Sequence, residues 1–391
     1  MRKRKPNYKK IISFLLLLCL VIGFPVYWFL FKGNENGNDT ESPVVDKKDK
    51  KDMEKEDDKK EYSLDMIMVG DALIHANVFN DAKSSNGYNF KPMFEYVSDT
   101  IKSYDLAFYN QETPFAGKDI GYSGYPSFNT PSKYGDDMLD MGFNLVSLAT
   151  NHTMDKGATG AINSLEYWNS KDVLAVGSYL SLEDRNKINI KEKNNIKYTM
   201  LAYTLTTNSA IPAGKSYLLN MYDKAKATED INKVKDQVDL LIVSMHWGDE
   251  YQLQPNARQK EIATYLASLG VDIIIGTHTH SVQPIEYIDG TLVIYSLGNF
   301  ISSQLYEDNL IGLMPTLKVT KTIEDNESAI EISDLEATLI YTYYDNHRNH
   351  KVIPFDKLTS NEFTKYKTYY EKYKEVLTSM DETITVGSVN E

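Results

Sequence analysis

The sequence predicts an α/β protein: a layered α/β/β/α sandwich, with two sheets and helices on the outer faces, preceded by one N-terminal transmembrane helix. Three observations carry this. Short apolar runs recur at 64–70, 106–110, 144–150, 173–177, 197–203, 239–245, 271–277 and 291–297. Amphipathic helical stretches fall between several of them, near 92–103, 133–141, 159–170, 224–237 and 256–269. A charge-free run, IISFLLLLCLVIGFPVYWFLF, occupies 11–31. Runs apolar at nearly every position indicate strands covered on both faces, and their alternation with helices indicates layered α/β architecture.

The N-terminal elements follow in order. Residues 1–10 hold Arg2, Lys3, Arg4, Lys5, Lys9 and Lys10 and no acid. The 21 residues of 11–31 suffice to cross a hydrocarbon core of ~30 Å at ~1.5 Å per residue. Tyr27 and Trp28 sit near the far end, where amphipathic rings favour the interface. The run is long and ends in bulky residues, which reads as an uncleaved anchor rather than a signal peptide. The basic cluster keeps residues 1–10 cytoplasmic, so the globular part is expected outside the cell membrane in a single-pass arrangement. Residues 32–61 mix both charges with almost no apolar side chain, the composition of a disordered linker. A domain is expected over 62–345. A C-terminal extension follows over 346–391, rich in Lys and Tyr, with a surface helix near 361–377.

Composition excludes some classes. The chain has 391 residues and a single Cys, Cys19, so no internal disulfide is available. Net charge is −13, and the six bases at the N-terminus leave −19 on the rest. Such a body repels nucleic-acid phosphates.

The chemistry lies just beyond the strands. The run at 64–70 ends in Asp71, with His75 four residues on. The run at 106–110 enters Asn110-Gln111-Glu112, and that at 144–150 enters Asn151-His152 with Asp155 close behind. The later runs lead to His246, to His278-Thr279-His280 and to Asn299. Five of the seven histidines lie immediately past a predicted buried strand; His347 and His350 stand apart and read as surface residues. Ligands gather at the carboxyl ends of strands in open α/β sheets, so six such ends predict one shared site. Imidazole, carboxylate and amide oxygen without thiolate suit Mn, Fe or Zn, and a bridging carboxylate would hold two divalent ions.

The phrases SLATNHTMDKG (147–157), SMHWGDEY (244–251), GTHTHSVQPIE (276–286) and YSLGNF (295–300), with Gly70-Asp71 and Asn110-x-Glu112, resemble the CapA family of capsule and poly-γ-glutamate synthesis proteins. That family shares the calcineurin-like metallophosphoesterase fold. The resemblance implies that Asp71 and His280 bind one metal, with His75 open as a further ligand, and that Asn151, His246 and His278 bind the other. Glu112 takes the bridging position, where Asp is usual. His152 serves as general acid or as a donor to the phosphoryl group. Asn110 and Asn299 are implied as substrate or supporting contacts, a structural turn being open for Asn299. The family's first motif is Asp-x-His, whereas His75 stands four residues beyond Asp71. Two functions follow from the resemblance. One is a membrane-anchored protein in synthesis, attachment or remodelling of an anionic surface polymer, with metal-dependent hydrolysis of a phosphorylated or amide substrate. The other is a non-catalytic scaffold or polymer-binding subunit beside polymer-synthase partners.

Overall fold

The computed structural model describes residues 59–325 and 327–390. The expected basic tail, the anchor over 11–31 and the linker up to residue 58 lie outside the described residues. Among the described residues, no helix is long and apolar enough to cross a membrane. Glu61–Lys321 and Ile330–Glu391 form one compact unit, and the hairpin tip Thr322–Ala329 falls outside it.

The strands in chain order are β1 (Lys60–Ala72), β2 (Lys83–Ser84), β3 (Gly87–Tyr88), β4 (Leu106–Asn110), β5 (Leu145–Ser147), β6 (Leu174–Val176), β7 (Lys191–Lys193), β8 (Ile196–Thr204), β9 (Leu240–His246), β10 (Ile273–Thr277), β11 (Ile285–Ile288), β12 (Thr291–Ile294), β13 (Asn299–Ile301), β14 (Ile311–Glu324), β15 (Glu327–Asp345), β16 (Arg348–Pro354) and β17 (Thr385–Val386). The helices are α1 (Ala76–Asp81), α2 (Ser98–Lys102), α3 (Lys133–Asp140), α4 (Gly157–Asn169), α5 (Leu182–Asn186), α6 (Lys224–Val234), α7 (Ala257–Ser268) and α8 (Tyr366–Thr378).

Two large sheets organise the chain. The first runs β16-β15-β14-β1-β4-β5-β6, with β13 paired to β1 and β17 to β15; the second runs β11-β12-β10-β9-β8-β7. Successive strand residues point to opposite faces, and the second sheet uses both. Met200, Ile242, Ile273, Ile275 and Ile294 face a core shared with the first sheet's Met66, Met68 and Phe108. Their neighbours Leu241, Val243, Ile274 and Val293 face a second core with Ile231 of α6 and Leu266 of α7. That double burial is why these strands read as continuous apolar runs. α7 is started by a capping box: the Asn256 side chain accepts from the Gln259 backbone and Gln259 bonds back. On the first sheet, α3 and α4 bury Tyr134, Met138, Leu165 and Trp168.

Register sets the site. Across parallel β1 and β4, Asp71 is level with Asn110. Across β1 and β13, Asp71 is level with Asn299. In the second sheet, Thr277 of β10 is level with His246 of β9, which is level with Thr204 of β8. The carboxyl ends of both sheets thus present their polar residues on one edge.

The eight expected strands are all present. The sequence reading missed the strands β2, β3, β7, β11 and β13 to β17. The C-terminal segment is built into the first sheet: β16 and β17 pair with β15, and α8 is no mere surface helix, since it buries Tyr370, Tyr373, Val376 and Leu377.

Two glycines permit the strand ends to approach. A Cβ on Gly70 would lie 1.9 Å from the backbone oxygen of Gly298, and one on Gly276 would lie 1.9 Å from that of Tyr295. Neither obstacle is a side chain that could swing away. We expect Gly70→Ala to destabilise the protein by about 3 kcal/mol, the upper range for overpacking a core. A urea midpoint within experimental scatter of wild type would show that β1 and β13 can separate at no cost.

Candidate metal centre

The site is built by loops that leave six strands. Asp71 ends β1, fully buried. Its Oδ1 accepts from Asn110 Nδ2 at 2.7 Å and its Oδ2 from the His278 backbone N–H at 3.1 Å. Glu112, two residues past β4, is also fully buried, and neither of its carboxylate oxygens has a hydrogen-bond partner in the protein. Its Oε1 stands 3.7 Å from His280 Nε2 and 3.9 Å from His246 Nε2. These separations are too long for hydrogen bonds and suit a gap between convergent ligands.

Two groups of potential ligands result. Asp71, Glu112 and His280 converge in one, and Glu112, His246 and His278 in the other. Glu112 belongs to both. Asn151 joins the second, its Oδ1 lying 3.0 Å from His246 Nε2. Unpaired buried atoms mark the same place: both oxygens of Glu112, Asn110 Oδ1 and His278 Nδ1. Orphaned polar atoms are costly in a protein interior. A cation is the group that such a donor set would satisfy, so the residues present fit a divalent metal.

Neighbours orient the rings. Asn299 Nδ2 donates to Asn309 O at 2.8 Å and to Gln304 Oε1 at 2.9 Å. Its Oδ1 is therefore left to accept from His280 Nδ1 at 3.0 Å, and Nε2 of His280 turns toward Glu112. His246 is arranged alike: Nδ1 meets Thr277 Oγ1 at 3.0 Å, and Nε2 faces Asn151 and Glu112. Such supporting bonds orient metal-binding imidazoles. Buried Asn110 and Asn299 sit behind the ligand groups, as braces.

The electrostatics suit a ligand at His246 and His278, whereas His280 holds a proton that an ion would displace. Burial, then the nearby His280, hold His278 down at about 4. Burial, then His278, push His246 well below its usual range. Both rings therefore stay neutral, the form that offers a lone pair. Burial also opposes charge on His280, but Glu112 and Asp71 outweigh it and push it up to about 10. Burial, then Asp71, raise Glu112.

His152 lies beside the cluster, in the turn after β5. Its Nδ1 is 2.7 Å from Asp155 Oδ2, and that same oxygen accepts from the Phe128 backbone N–H at 2.8 Å. Phe128 meets the imidazole edge-on at 4.7 Å. Asn208, which no motif in the sequence signals, approaches both ring nitrogens at 3.4 and 3.5 Å; its backbone N–H is pinned to Asn151 O at 2.9 Å.

His75 joins neither ligand group. Its Nδ1 lies 3.1 Å from Leu73 O and 3.2 Å from Ser303 N, and its ring meets the far side of Phe128. The four-residue gap after Asp71 carries the chain into α1 and takes the ring to the rim. His347 and His350 also belong elsewhere: His347 Nδ1 bonds Ser303 Oγ at 2.8 Å, and His350, buried rather than on the surface, pairs with Asp81 at 2.9 Å.

Comparison with known proteins gives the family. The family described as bacterial capsule synthesis protein PGA_cap matches residues 65–304. That is more than half of the chain, and the chain belongs to this family. A PGA biosynthesis protein, CapA, of Bacillus subtilis is 29% identical over 63% of this chain and 66% of its own length. A capsule biosynthesis protein, CapA, of Bacillus anthracis is 28% identical over 62% of this chain and 60% of its own length. The chain thus spans less than two thirds of either relative. Among solved structures, a 5′-nucleotidase of Candida albicans overlaps 80% of this chain and 58% of its own with a TM-score of 0.41 and 12% identity, an overlap too partial to transfer chemistry.

Glu112 gives a paired prediction. In chelator, Glu112→Gln should raise stability, because it removes charge from a buried carboxyl without a partner; a gain of about 1–3 kcal/mol is the scale of such a penalty. With manganese or zinc added, wild type should gain melting temperature and the variant should gain far less. Equal gains in both proteins would remove Glu112 from the ligand set.

Proposed function

We propose that this capsule-synthesis family member is a membrane-anchored protein acting outside the cell. Its role is the synthesis, attachment or remodelling of an anionic surface polymer of the poly-γ-glutamate kind. It would use a dinuclear metal site to hydrolyse a phosphoester or amide bond, alongside polymer-synthase subunits. The observation that carries the catalytic part is the sharing of one buried, unpaired carboxylate, Glu112, by two converging ligand groups. A closed structural ion needs one such group; two groups with a common carboxylate are the arrangement of a bridged pair. The names of the relatives support the polymer, and the apolar run at 11–31 supports the anchor.

Asp71, His280 and Glu112 would hold one ion, and Glu112, His246, His278 and Asn151 the other, with Mn, Fe or Zn as the metals. When bound, such a pair supplies an activated water and neutralises charge at the reacting group. The chain's own groups do the rest. His152, oriented through Nδ1 by Asp155, would use Nε2, which Asn208 approaches at 3.5 Å, to hand a proton to the leaving group. Asn208 sits where it can hold that group against the imidazole. Asn110 and Asn299 keep Asp71 and His280 in place.

The test combines metal analysis with hydrolysis of bis-p-nitrophenyl phosphate and of poly-γ-glutamate. His152→Ala should retain metal and lose turnover by roughly 10²–10⁴-fold, the usual share of general acid catalysis. One to two equivalents of metal with no turnover on either substrate would replace the hydrolase with the non-catalytic scaffold. Protease added to intact cells should cut within 33–61; complete protection there would reverse the proposed topology.

A further inference from the structure

The mouth of the metal centre carries two exposed tyrosines. Tyr125, in the GYSGYP segment, is 77% exposed, and Tyr251, directly after Glu250, is 53% exposed. Each borders the site. Tyr251 lies 6.1 Å, ring to ring, from His280. Tyr125 lies 6.4 Å from Phe128, the ring that packs on His152. Tyr122 of the same segment is instead packed, against Phe79 and Tyr88, so loop packing explains one tyrosine and leaves the other.

The backbone holds Tyr251 in this position. It has φ of +65°, a left-handed conformation unfavourable for a bulky residue. Its N–H is fixed to Thr279 O at 2.7 Å. A large ring kept in a costly conformation with half its surface in water gains little from packing beyond the edge of His280; strain of this kind collects at functional sites. Both rings border the site histidines, Tyr251 beside His280 and Tyr125 beside the Phe128 that packs on His152. Burial, then the charge of Glu250 directly before it in the chain, push the Tyr251 hydroxyl up to about 12. Asp249 and Glu250 are exposed on the same turn, with Asn256 Nδ2 bonded to Asp249 at 2.9 Å.

We infer that Tyr125 and Tyr251 form a subsite for a neutral pyranose ring at the entrance of the metal centre, so that the substrate or acceptor carries a glycan. The apolar C–H face of a sugar suits an aromatic ring, and its hydroxyls donate to acceptors such as Glu250. A polyglutamate segment would bring carboxylates against Asp249 and Glu250, a like-charge contact that disfavours it at this spot. The inference deepens the proposed function and rests on the centre being a working site.

Calorimetric titration of the metal-loaded protein with triacetylchitotriose and with a poly-γ-glutamate decamer tests it. Wild type should bind the trisaccharide more tightly than the decamer. Tyr251→Ala should weaken trisaccharide binding about tenfold, the worth of one aromatic contact, and Tyr251→Phe should retain most of it. Metal content and melting temperature should not fall in either variant, since the ring is exposed. Failure of wild type to bind the trisaccharide, tighter binding of the decamer, or undiminished binding in Tyr125→Ala/Tyr251→Ala would each overturn the subsite. Bound metal without trisaccharide binding defeats this inference alone, whereas trisaccharide binding without metal defeats the proposed centre and leaves the aromatic subsite standing.

Discussion

A buried carboxylate without a partner is the constraint on which the site depends. Glu112 is enclosed with both oxygens unpaired, and leaving such a group unsatisfied costs free energy that a fold of ordinary stability cannot spare in quantity. No hydrogen bond compensates it: His246 and His280 stand off at 3.9 and 3.7 Å, so the charge of His280 acts across a gap. The imidazoles converge on the carboxylate and stop one ion short of it. The buried strands, the close approach at Gly70 and the register of Asp71 with Asn110 and Asn299 hold that gap open against collapse.

Orientation is enforced from behind. Asn299 has its amide hydrogens committed to Asn309 and Gln304, so only its oxygen remains for His280. Thr277 Oγ1 supports His246 Nδ1 from behind. The backbone carries a share of the cost: His278 and His280 both adopt positive φ, +95° and +53°. Two non-glycine residues so close together in that region point to a loop shaped by its side chains' destination, not by local preference.

Much of this was legible in the sequence, because doubly buried strands write themselves as unbroken apolar runs and the chemistry sits at their ends. Asp71, Asn110, Glu112, Asn151, His246, His278 and His280 meet as their positions after strands implied. What failed to show has physical causes. β15 exposes or half-exposes all of its first ten residues, and Ala337, the eleventh, is the first buried one, so an apolar search passes over it. His75 follows the right strand, but α1 begins at Ala76 and carries the ring to the rim. Asn208 reaches His152 from a polar loop whose path is set by a single backbone bond to Asn151, a long-range contact that spacing does not encode. His350 owes its burial to β16 pairing within the sheet and to Asp81, both distant in sequence.

The charge of the mouth bears on how the proposed centre would be used. Asp71 and Glu112 lie within, and Glu250 is near enough to raise both Glu112 and His280. Without ions, this region is a field that draws cations and repels phosphate or carboxylate groups. Two divalent ions bring about four positive charges against two carboxylates inside, so loading would reverse the sign at the ligands while the rim stays acidic. An anionic reacting group is then attracted only at the depth of Glu112, and only after the metals. Outside that depth the surface favours neutral hydroxyl donors and disfavours a long polyanion lying across it. Under the proposed function this would separate two tasks, recognition by aromatic and acidic groups at the rim and charge stabilisation by ions held at the buried carboxylate, with metal bound first and substrate second.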